Sequence, residues 1–223
     1  MMSSITSYVK HMSVHDVMTR KSIHDVVALN NYLLLLLLTG ARRKEMAELK
    51  WVDVDMADRK FTLTITKNGK PLTLPMSDYT YDIFKARETL RENDFVFPGP
   101  GKSKHLIDAR FQAATVTKEV AKKFHNINDE EFDRRLREKD KTLTKGIRFT
   151  FHDIRRTFAS CVSGTVADGY ELKRLLNHAV GSNDVTGGYV IHNMQKLRRI
   201  VQEATDYILN LCGYEKPKQE EST

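Results

Sequence analysis

The chain has 223 residues, 40% of them hydrophobic and 29% charged, which is the composition of a globular protein with one large domain or two small ones. Its formal net charge of +7 favours a polyanionic partner such as nucleic acid, although charge alone does not identify one. The longest apolar run, Leu33 to Leu38, is far too short to cross a bilayer, so no membrane association is expected. Cys161 and Cys212 stand in apolar contexts without a partner spacing, and we expect two reduced, buried thiols in a cytoplasmic protein.

A long helix is predicted to begin at Ser22, because apolar residues follow at helical spacing into the leucine run. The end of this helix is apolar on nearly all sides, so we expect it at the centre of the domain. Gly40 ends it, since glycine suits a left-handed helix C-cap. A second helix is predicted to follow through Trp51. Arg42 then lies beside the glycine turn, where a cation and backbone amides favour an anion; the alternative is a solvated first turn.

Residues 61–66 and 72–76 alternate between apolar and polar side chains, which predicts two strands. Asn68-Gly69 between them is a strong hairpin signal, because both central residues of a type I′ turn need positive φ. Lys67 flanks this turn. Lysines at hairpin tips are usually only solvated, but together with the segments below Lys67 becomes a candidate proton donor.

The remaining predicted elements are mostly helical. Helices are expected from Ser77 to about Glu92, Ile107 to Phe124, within Asp129 to Lys145, Phe151 to Ser163, Glu171 to Asn177 and Asn193 to Cys212, with a short strand at 95–97.

The helix that opens at Phe151 carries His152 and Arg155, which are three residues apart and so project from nearly the same face. An imidazole beside a permanently charged guanidinium is a poor core pair but a good clamp for a phosphate oxygen. Two further candidates lie downstream. His178 ends a helix, where histidine ordinarily complements the helix dipole, and Tyr189 stands at the far end of a glycine-containing loop.

Phosphodiester cleavage needs cations on the phosphoryl oxygens, a nucleophile and a proton donor for the leaving oxygen. The sequence has no carboxylate cluster or His-Cys spacing typical of a metal site, so we expect a mechanism without metal ion or cofactor. Arg42 and Arg155 would then bind the non-bridging oxygens, and His178 would donate a further hydrogen bond.

Tyr189 is the candidate nucleophile, although a phenol with a pKa of about 10 is weakly nucleophilic at neutral pH. Neighbouring cations lower such a pKa, and His152 could accept the proton while Lys67 protonates the departing oxygen. A covalent phosphotyrosine conserves the bond energy, so rejoining would require no ATP. Tyr170 and Tyr207 are the rival phenols; the first precedes His178 and the second lies within the last helix.

An ordered set of segments carries these candidates: Thr39-Gly40-Ala41-Arg42 with Glu45, Lys67-Asn68-Gly69, His152-Asp153-Ile154-Arg155-Arg156-Thr157, Leu175-Leu176-Asn177-His178 and Tyr189. The set resembles the catalytic domain of tyrosine recombinases, the integrases of phages and mobile elements, over almost the whole chain. This resemblance implies a mainly α fold with a small antiparallel β-sheet. We assign the catalytic domain to 22–212. The weakly patterned residues 1–21 are predicted to be an N-terminal arm or linker remnant, and the polar residues 213–223 a disordered tail. The catalytic residues that the resemblance implies are Arg42, Lys67, His152, Arg155, His178 and the nucleophile Tyr189.

The implied reaction cleaves one strand of double-stranded DNA to a 3′-phosphotyrosine and a free 5′-hydroxyl, followed by strand exchange. The expected assembly is a homotetramer on DNA that is monomeric when free, with accessory DNA-bending proteins as candidate partners. The N-terminal DNA-binding domains of such integrases are not recognisable here, so we expect the catalytic part of an integrase. Two features depart from the family pattern: Asn177 replaces a usual glycine, and the loop from His178 to Tyr189 is slightly longer than is typical.

Two other functions remain open at this point. A type IB topoisomerase shares the chemistry but relaxes supercoils without a partner duplex, and a relaxation assay without a specific site would separate the two. The integrase-like segment from Thr39 to Arg42 argues against it. A non-catalytic DNA-binding regulator derived from a recombinase is the second alternative, but binding alone would not need Tyr189.

Overall fold

The computed structural model describes residues 23–99, 102–107, 110–148, 150–165, 169–177 and 194–214. Its helices are α1 (Ile23–Thr39), α2 (Arg43–Ala47), α3 (Asp78–Glu88), α4 (Arg110–His125), α5 (Asp129–Arg137), α6 (Phe151–Ser163), α7 (Gly169–Leu175) and α8 (Met194–Leu211). Its strands are β1 (Val54–Asp55), β2 (Lys60–Leu63) and β3 (Leu72–Pro75). The predicted mainly α fold with a small antiparallel sheet is confirmed. The predicted arm at 1–21 and residues 215–223 of the predicted tail lie outside the described residues, and the proposed division of the chain stays a prediction.

Helix α1 lies at the centre of the fold and packs against α2, α3, α6 and α8. Four consecutive leucines, Leu35 to Leu38, are each at most 3% exposed, so this part of the helix is buried on every side. The central position that the leucine run predicts is therefore confirmed. Full burial of a leucine side chain stabilises a fold by about 2 kcal/mol, so the four leucines together contribute strongly to the stability of the domain.

Helix α6 packs against both α1 and α8 through a face that includes Ile154, Phe158 and Val162. Its start is fixed by a reciprocal capping box. The backbone N–H of Asp153 donates to Oγ1 of Thr150 at 3.3 Å, and the Asp153 carboxylate accepts from the Thr150 backbone N–H at 2.8 Å. The hydrogen bond from the Thr150 side chain is the largest cause of the lowered pKa of Asp153. The cap sets the helix start at Phe151, as predicted.

Gly40 brings the end of α1 against α6. Its φ is +62°, a left-handed conformation that glycine adopts without strain. A Cβ at this position would lie 2.3 Å from Cδ1 of Phe158, well inside van der Waals contact. Both the backbone conformation and the close approach of the aromatic ring therefore require glycine here.

We expect Gly40→Ala to lower the free energy of unfolding by at least about 2 kcal/mol, since left-handed strain and core overpacking add together. Urea unfolding measures this change. Gly146→Ala is a matched control, because Gly146 has a φ of +75° but nothing within 4 Å of the added Cβ. The free energy of unfolding of the control should fall only by the cost of the left-handed backbone, about 1 kcal/mol. Equal losses in the two variants would contradict the packing argument.

The second predicted helix is shorter than expected: α2 ends at Ala47, not at Trp51. The backbone beyond it pairs with a distant segment instead. The Trp51 N–H donates to the Asp94 carbonyl at 2.9 Å, and the Val96 N–H donates to the Leu49 carbonyl at 3.0 Å. These bonds flank an antiparallel bridge between residues 50 and 95. The strand predicted at 95–97 is therefore present as an isolated bridge. Non-local pairing therefore ends the helix.

The three strands form one antiparallel sheet in the order β1-β2-β3. The predicted hairpin between β2 and β3 is confirmed, with Phe61 opposite Leu74 and Leu63 opposite Leu72. Its predicted type I′ turn is wrong, because only glycine of the central pair has positive φ. The turn closes instead from the Gly69 N–H to the Thr66 carbonyl at 3.1 Å, so its two central residues are Lys67 and Asn68.

The other predicted helices occur with shifted ends. Ser77 caps α3 as predicted, accepting from the Thr80 N–H at 3.3 Å, although α3 ends at Glu88 and not near Glu92. Cys161 and Cys212 are buried, as predicted. In the described part of the chain, no helix is long and apolar enough to cross a membrane.

Candidate active site

Arg42 extends from the turn that joins α1 to α2. Its backbone is extended, with φ −75° and ψ 144°, at the position that precedes the first residue of α2. Its Nη1 donates to Oε1 of Glu45 at 3.0 Å, across one helical turn. About a quarter of the arginine side chain is exposed, whereas the glutamate side chain is 5% exposed. A buried carboxylate thus orients a partly exposed cation.

Glu45 also holds the hairpin. The same Oε1 accepts a hydrogen bond from the backbone N–H of Lys67 at 3.2 Å. Its other oxygen, Oε2, is buried without a hydrogen-bond partner among the described residues. Glu45 belongs to the sequence motif, but its role was not predicted; the signal for it was its position three residues after Arg42, one helical turn away. The structure shows it joining two of the predicted site residues.

Lys67 itself is exposed at the hairpin turn. Its backbone is held by Glu45, and Oγ1 of Thr66 donates to the Lys70 carbonyl at 2.7 Å across the same turn. The ammonium group is therefore carried on an anchored turn while the four-carbon side chain stays in solvent. This arrangement suits a cation that meets its ligand only when a substrate is present.

Arg155 lies at the junction of three segments and is 8% exposed. Its Nη1 donates to the Gly40 carbonyl at 2.5 Å, across 115 residues of sequence, and its Nη2 donates to the Leu176 carbonyl. These two bonds use two of the five N–H donors of a guanidinium. The end of α1, the middle of α6 and the end of α7 are thereby fixed to one side chain.

Two cations meet at this junction. Burial, and then the positive charge of Arg42, lower the pKa of Arg155 to about 10, while the charge of Glu45 opposes this shift. Arg155 therefore remains protonated at neutral pH. Two guanidinium groups near one buried carboxylate leave a net positive charge, which favours an anion.

His152 lies one helical turn before Arg155, at the exposed end of α6. His178 and Tyr189 lie outside the described residues. The two residues before His178 are described, and both reach the site. The Leu176 carbonyl accepts from Arg155, and Nδ2 of Asn68 donates to the Asn177 carbonyl at 2.5 Å.

Asn177 stands where the sequence motif usually has glycine, and its backbone conformation is one that glycine also adopts. Its φ is +47°, a left-handed conformation that asparagine adopts more readily than most side chains. The turn before His178 thus keeps a conformation suited to glycine. Of the rival phenols, Tyr170 is partly buried on α7 and Tyr207 is 54% exposed on α8.

We expect Glu45→Gln to lower the free energy of unfolding by about 1 to 3 kcal/mol, because the two arginines lose their buried counter-charge. Glu48→Gln is the matched control on the same segment. Glu48 pairs at 3.7 Å with Lys44, whose side chain is 80% exposed, and such pairs contribute little. Urea unfolding at neutral pH measures both variants. A loss no larger for Glu45→Gln than for Glu48→Gln would contradict the role given to Glu45.

The described residues contain no group of three or more His, Cys, Asp or Glu side chains placed to hold a metal ion. The polar centre of the site is instead built from arginines, one glutamate and backbone carbonyls. Within the described part of the site, two guanidinium groups against one carboxylate favour an anion.

Comparison with known proteins identifies the family. The model of the phage integrase family matches residues 9–196, most of the chain. The chain belongs to the phage integrase family. It is also 32% identical to prophage integrase IntF of Escherichia coli strain K12 over a 95-residue alignment that covers 40% of this chain and 20% of IntF. The tyrosine recombinase family that the resemblance predicted is therefore confirmed.

Two solved integrase structures share the fold. The integrase of mycobacterium phage Brujita matches with a TM-score of 0.55 and 16% identity, covering 95% of this chain and 61% of that one. The Tn1549 transposon integrase, solved in complex with circular intermediate DNA, matches with a TM-score of 0.50 and 16% identity, covering 88% and 61%. The chain thus spans less than two thirds of these integrases and aligns with a fifth of IntF.

Proposed function

We propose that this chain is a site-specific DNA recombinase that breaks and rejoins strands through a covalent 3′-phosphotyrosine, without metal ion or ATP. The observation that carries the proposal is the double hydrogen bond of Arg155 to the carbonyls of Gly40 and Leu176. These bonds bring together Arg155, the turn that carries Arg42 and the segment that leads to His178. Family membership supports the same reaction class.

In this proposal Arg42 and Arg155 bind the non-bridging oxygens of one DNA phosphate. The pair carries charge that Glu45 only partly compensates, and charge-assisted bonds to phosphate are roughly twice as strong as neutral ones. Charge that develops on the phosphoryl oxygens during attack would be stabilised by donors already in place. His178 would add a further hydrogen bond.

The remaining residues would move protons and form the new bond. The Tyr189 oxygen attacks phosphorus as its phenolic proton passes to His152, and the P–O5′ bond breaks as Lys67 protonates the leaving oxygen. One phosphodiester is exchanged for another, so the reverse reaction by a 5′-hydroxyl rejoins the strand without an energy source. Rejoining to a different 5′-hydroxyl gives recombination.

The proposed partner is double-stranded DNA, which suits the net charge of +7. The Tn1549 integrase, which shares the fold, is bound to DNA in its structure. Exchange between two duplexes needs four active sites, which supports the proposed tetramer on DNA. We propose that the chain is monomeric when free. DNA-bending proteins would assist assembly in the cytoplasm where the DNA resides.

The experiment is covalent capture with nicked duplexes whose sequence around the nick is randomised. A nick beside the scissile phosphate lets the short 5′-hydroxyl fragment diffuse away, which traps the protein on the 3′ end. We expect an adduct that survives denaturation, forms in EDTA and enriches a defined sequence. Capture that occurs only with added magnesium, or adducts with no sequence preference, would contradict a metal-free site-specific recombinase.

A further inference from the structure

The hairpin turn is bound to the residue that precedes His178. The side chain of Asn68 donates from Nδ2 to the Asn177 carbonyl at 2.5 Å, although 109 residues separate the two. Asn68 directly follows Lys67 at the centre of the turn. The bond therefore links the turn that carries Lys67, the proposed proton donor, to the segment that leads to His178, a proposed phosphate ligand.

The acceptor side of this bond is well anchored. The Asn177 N–H donates to the Arg174 carbonyl at 3.0 Å, which continues the end of α7. The preceding carbonyl, that of Leu176, accepts from Arg155. Two side chains from different segments thus hold two successive carbonyls immediately before His178.

The turn that carries the donor is held by two hydrogen bonds, one from Lys67 and one from Asn68. The backbone N–H of Lys67 donates to Glu45, and the next side chain, Asn68, donates to Asn177. The Lys67 side chain is exposed, so the direction of its ammonium group depends on how the turn is oriented. Without Asn68, the bond to Glu45 would be the one remaining bond, among those described, from the turn to the rest of the site. The tip of the hairpin could then shift relative to the turn before His178.

We propose that Asn68 is a positioning residue that latches the hairpin to the turn before His178 and so places the Lys67 ammonium at the scissile phosphate. The inference rests on the proposed function, in which Lys67 protonates the leaving O5′. A single exposed hydrogen bond contributes little to folding. Its loss should therefore disturb proton transfer and leave the fold intact.

The test replaces the bridging O5′ of the captured DNA site by sulfur. A thiol has a pKa of about 8.5, so sulfur leaves as a thiolate when the P–S bond breaks and needs no proton. Cleavage of this substrate should not depend on Lys67 or on the residue that positions it. The oxygen substrate should depend on both.

We expect Asn68→Asp, which keeps the size of the side chain but removes the donor, to slow cleavage of the oxygen substrate by about 10- to 100-fold. The sulfur substrate should restore most of that rate in Asn68→Asp and in Lys67→Ala, but not in Arg155→Lys. Asn68→Ala should behave like Asn68→Asp. If only the aspartate variant is slow, its negative charge is responsible and the latch is refuted.

Asn93→Asp is the matched control, since Nδ2 of Asn93 donates to the Lys104 carbonyl at 2.8 Å in a loop that contributes no site residue. It should cleave both substrates at the wild-type rate. The double variant Lys67→Ala/Asn68→Asp should be no slower than Lys67→Ala, because both changes act on one step. A multiplicative loss in the double variant would overturn the proposal.

The outcomes separate this inference from the function on which it rests. If the sulfur substrate restores the cleavage rate of Lys67→Ala, but Asn68→Asp cleaves the oxygen substrate as fast as wild type, the proposed latch alone is wrong. A loss in Asn68→Asp that sulfur does not restore also refutes the latch. If sulfur does not restore Lys67→Ala, the proposed role of Lys67 fails and the latch fails with it.

Discussion

Tyr189→Phe should abolish the covalent adduct on the nicked substrate while the variant still binds the DNA site. The substitution removes one oxygen, so binding energy is retained and the bond to phosphorus cannot form. Loss of an enzymatic nucleophile costs about 10⁶-fold in kcat where it has been measured, which is below detection in a capture assay. Denaturing electrophoresis measures the adduct, and a gel-shift titration measures binding.

Tyr170→Phe and Tyr207→Phe are the controls for this prediction, because each removes a competing phenol from α7 or α8. Both should form the adduct at the wild-type rate. An adduct that persists in Tyr189→Phe and disappears in either control would assign the nucleophile to another residue. Arg42 and Arg155 would then bind a phosphate that a different residue attacks.

Arg155→Lys should reduce strand cleavage by about 10²- to 10³-fold, the effect of losing one preorganised donor at a developing oxyanion. Lysine keeps the charge but lacks the planar fork that reaches the Gly40 and Leu176 carbonyls together. One buried carbonyl then loses its partner, and the phosphate loses a fixed donor. Single-turnover cleavage measures the loss of the phosphate donor, and urea unfolding measures the loss of the buried hydrogen bond.

Arg156→Lys is the matched control, since Arg156 is the next residue on α6 and is exposed. Its substitution should change neither cleavage nor stability appreciably. Wild-type cleavage by Arg155→Lys would show that charge alone suffices. A loss as large in Arg156→Lys would show that general DNA affinity, and not the fork, sets the rate.

The parts of the fold that depend on local pattern could be predicted from the sequence. The leucine run gave the central helix, and Gly40 gave its end, because helical burial and left-handed caps are local properties. The end of α2 was missed because the backbone of residues 49–51 pairs with residues 94–96. The hairpin turn type was missed because Asn-Gly signals a turn without fixing its register.

The arrangement of the candidate site was partly predictable for the same reason. Arg42, Lys67 and Arg155 follow from residue type and order, and the structure brings their segments together. The buried role of Glu45 and the bond from Asn68 to Asn177 depend on contacts between distant segments. No spacing in the sequence encodes such contacts.

The most direct test of the central claim is to identify the residue that carries the nucleotide after capture in EDTA. Trypsin separates the candidates, because Tyr170, Tyr189 and Tyr207 fall in peptides 157–173, 175–196 and 200–218. Nuclease digestion followed by mass spectrometry should find a 3′-nucleotide on peptide 175–196. A nucleotide on either of the other two peptides would contradict the account.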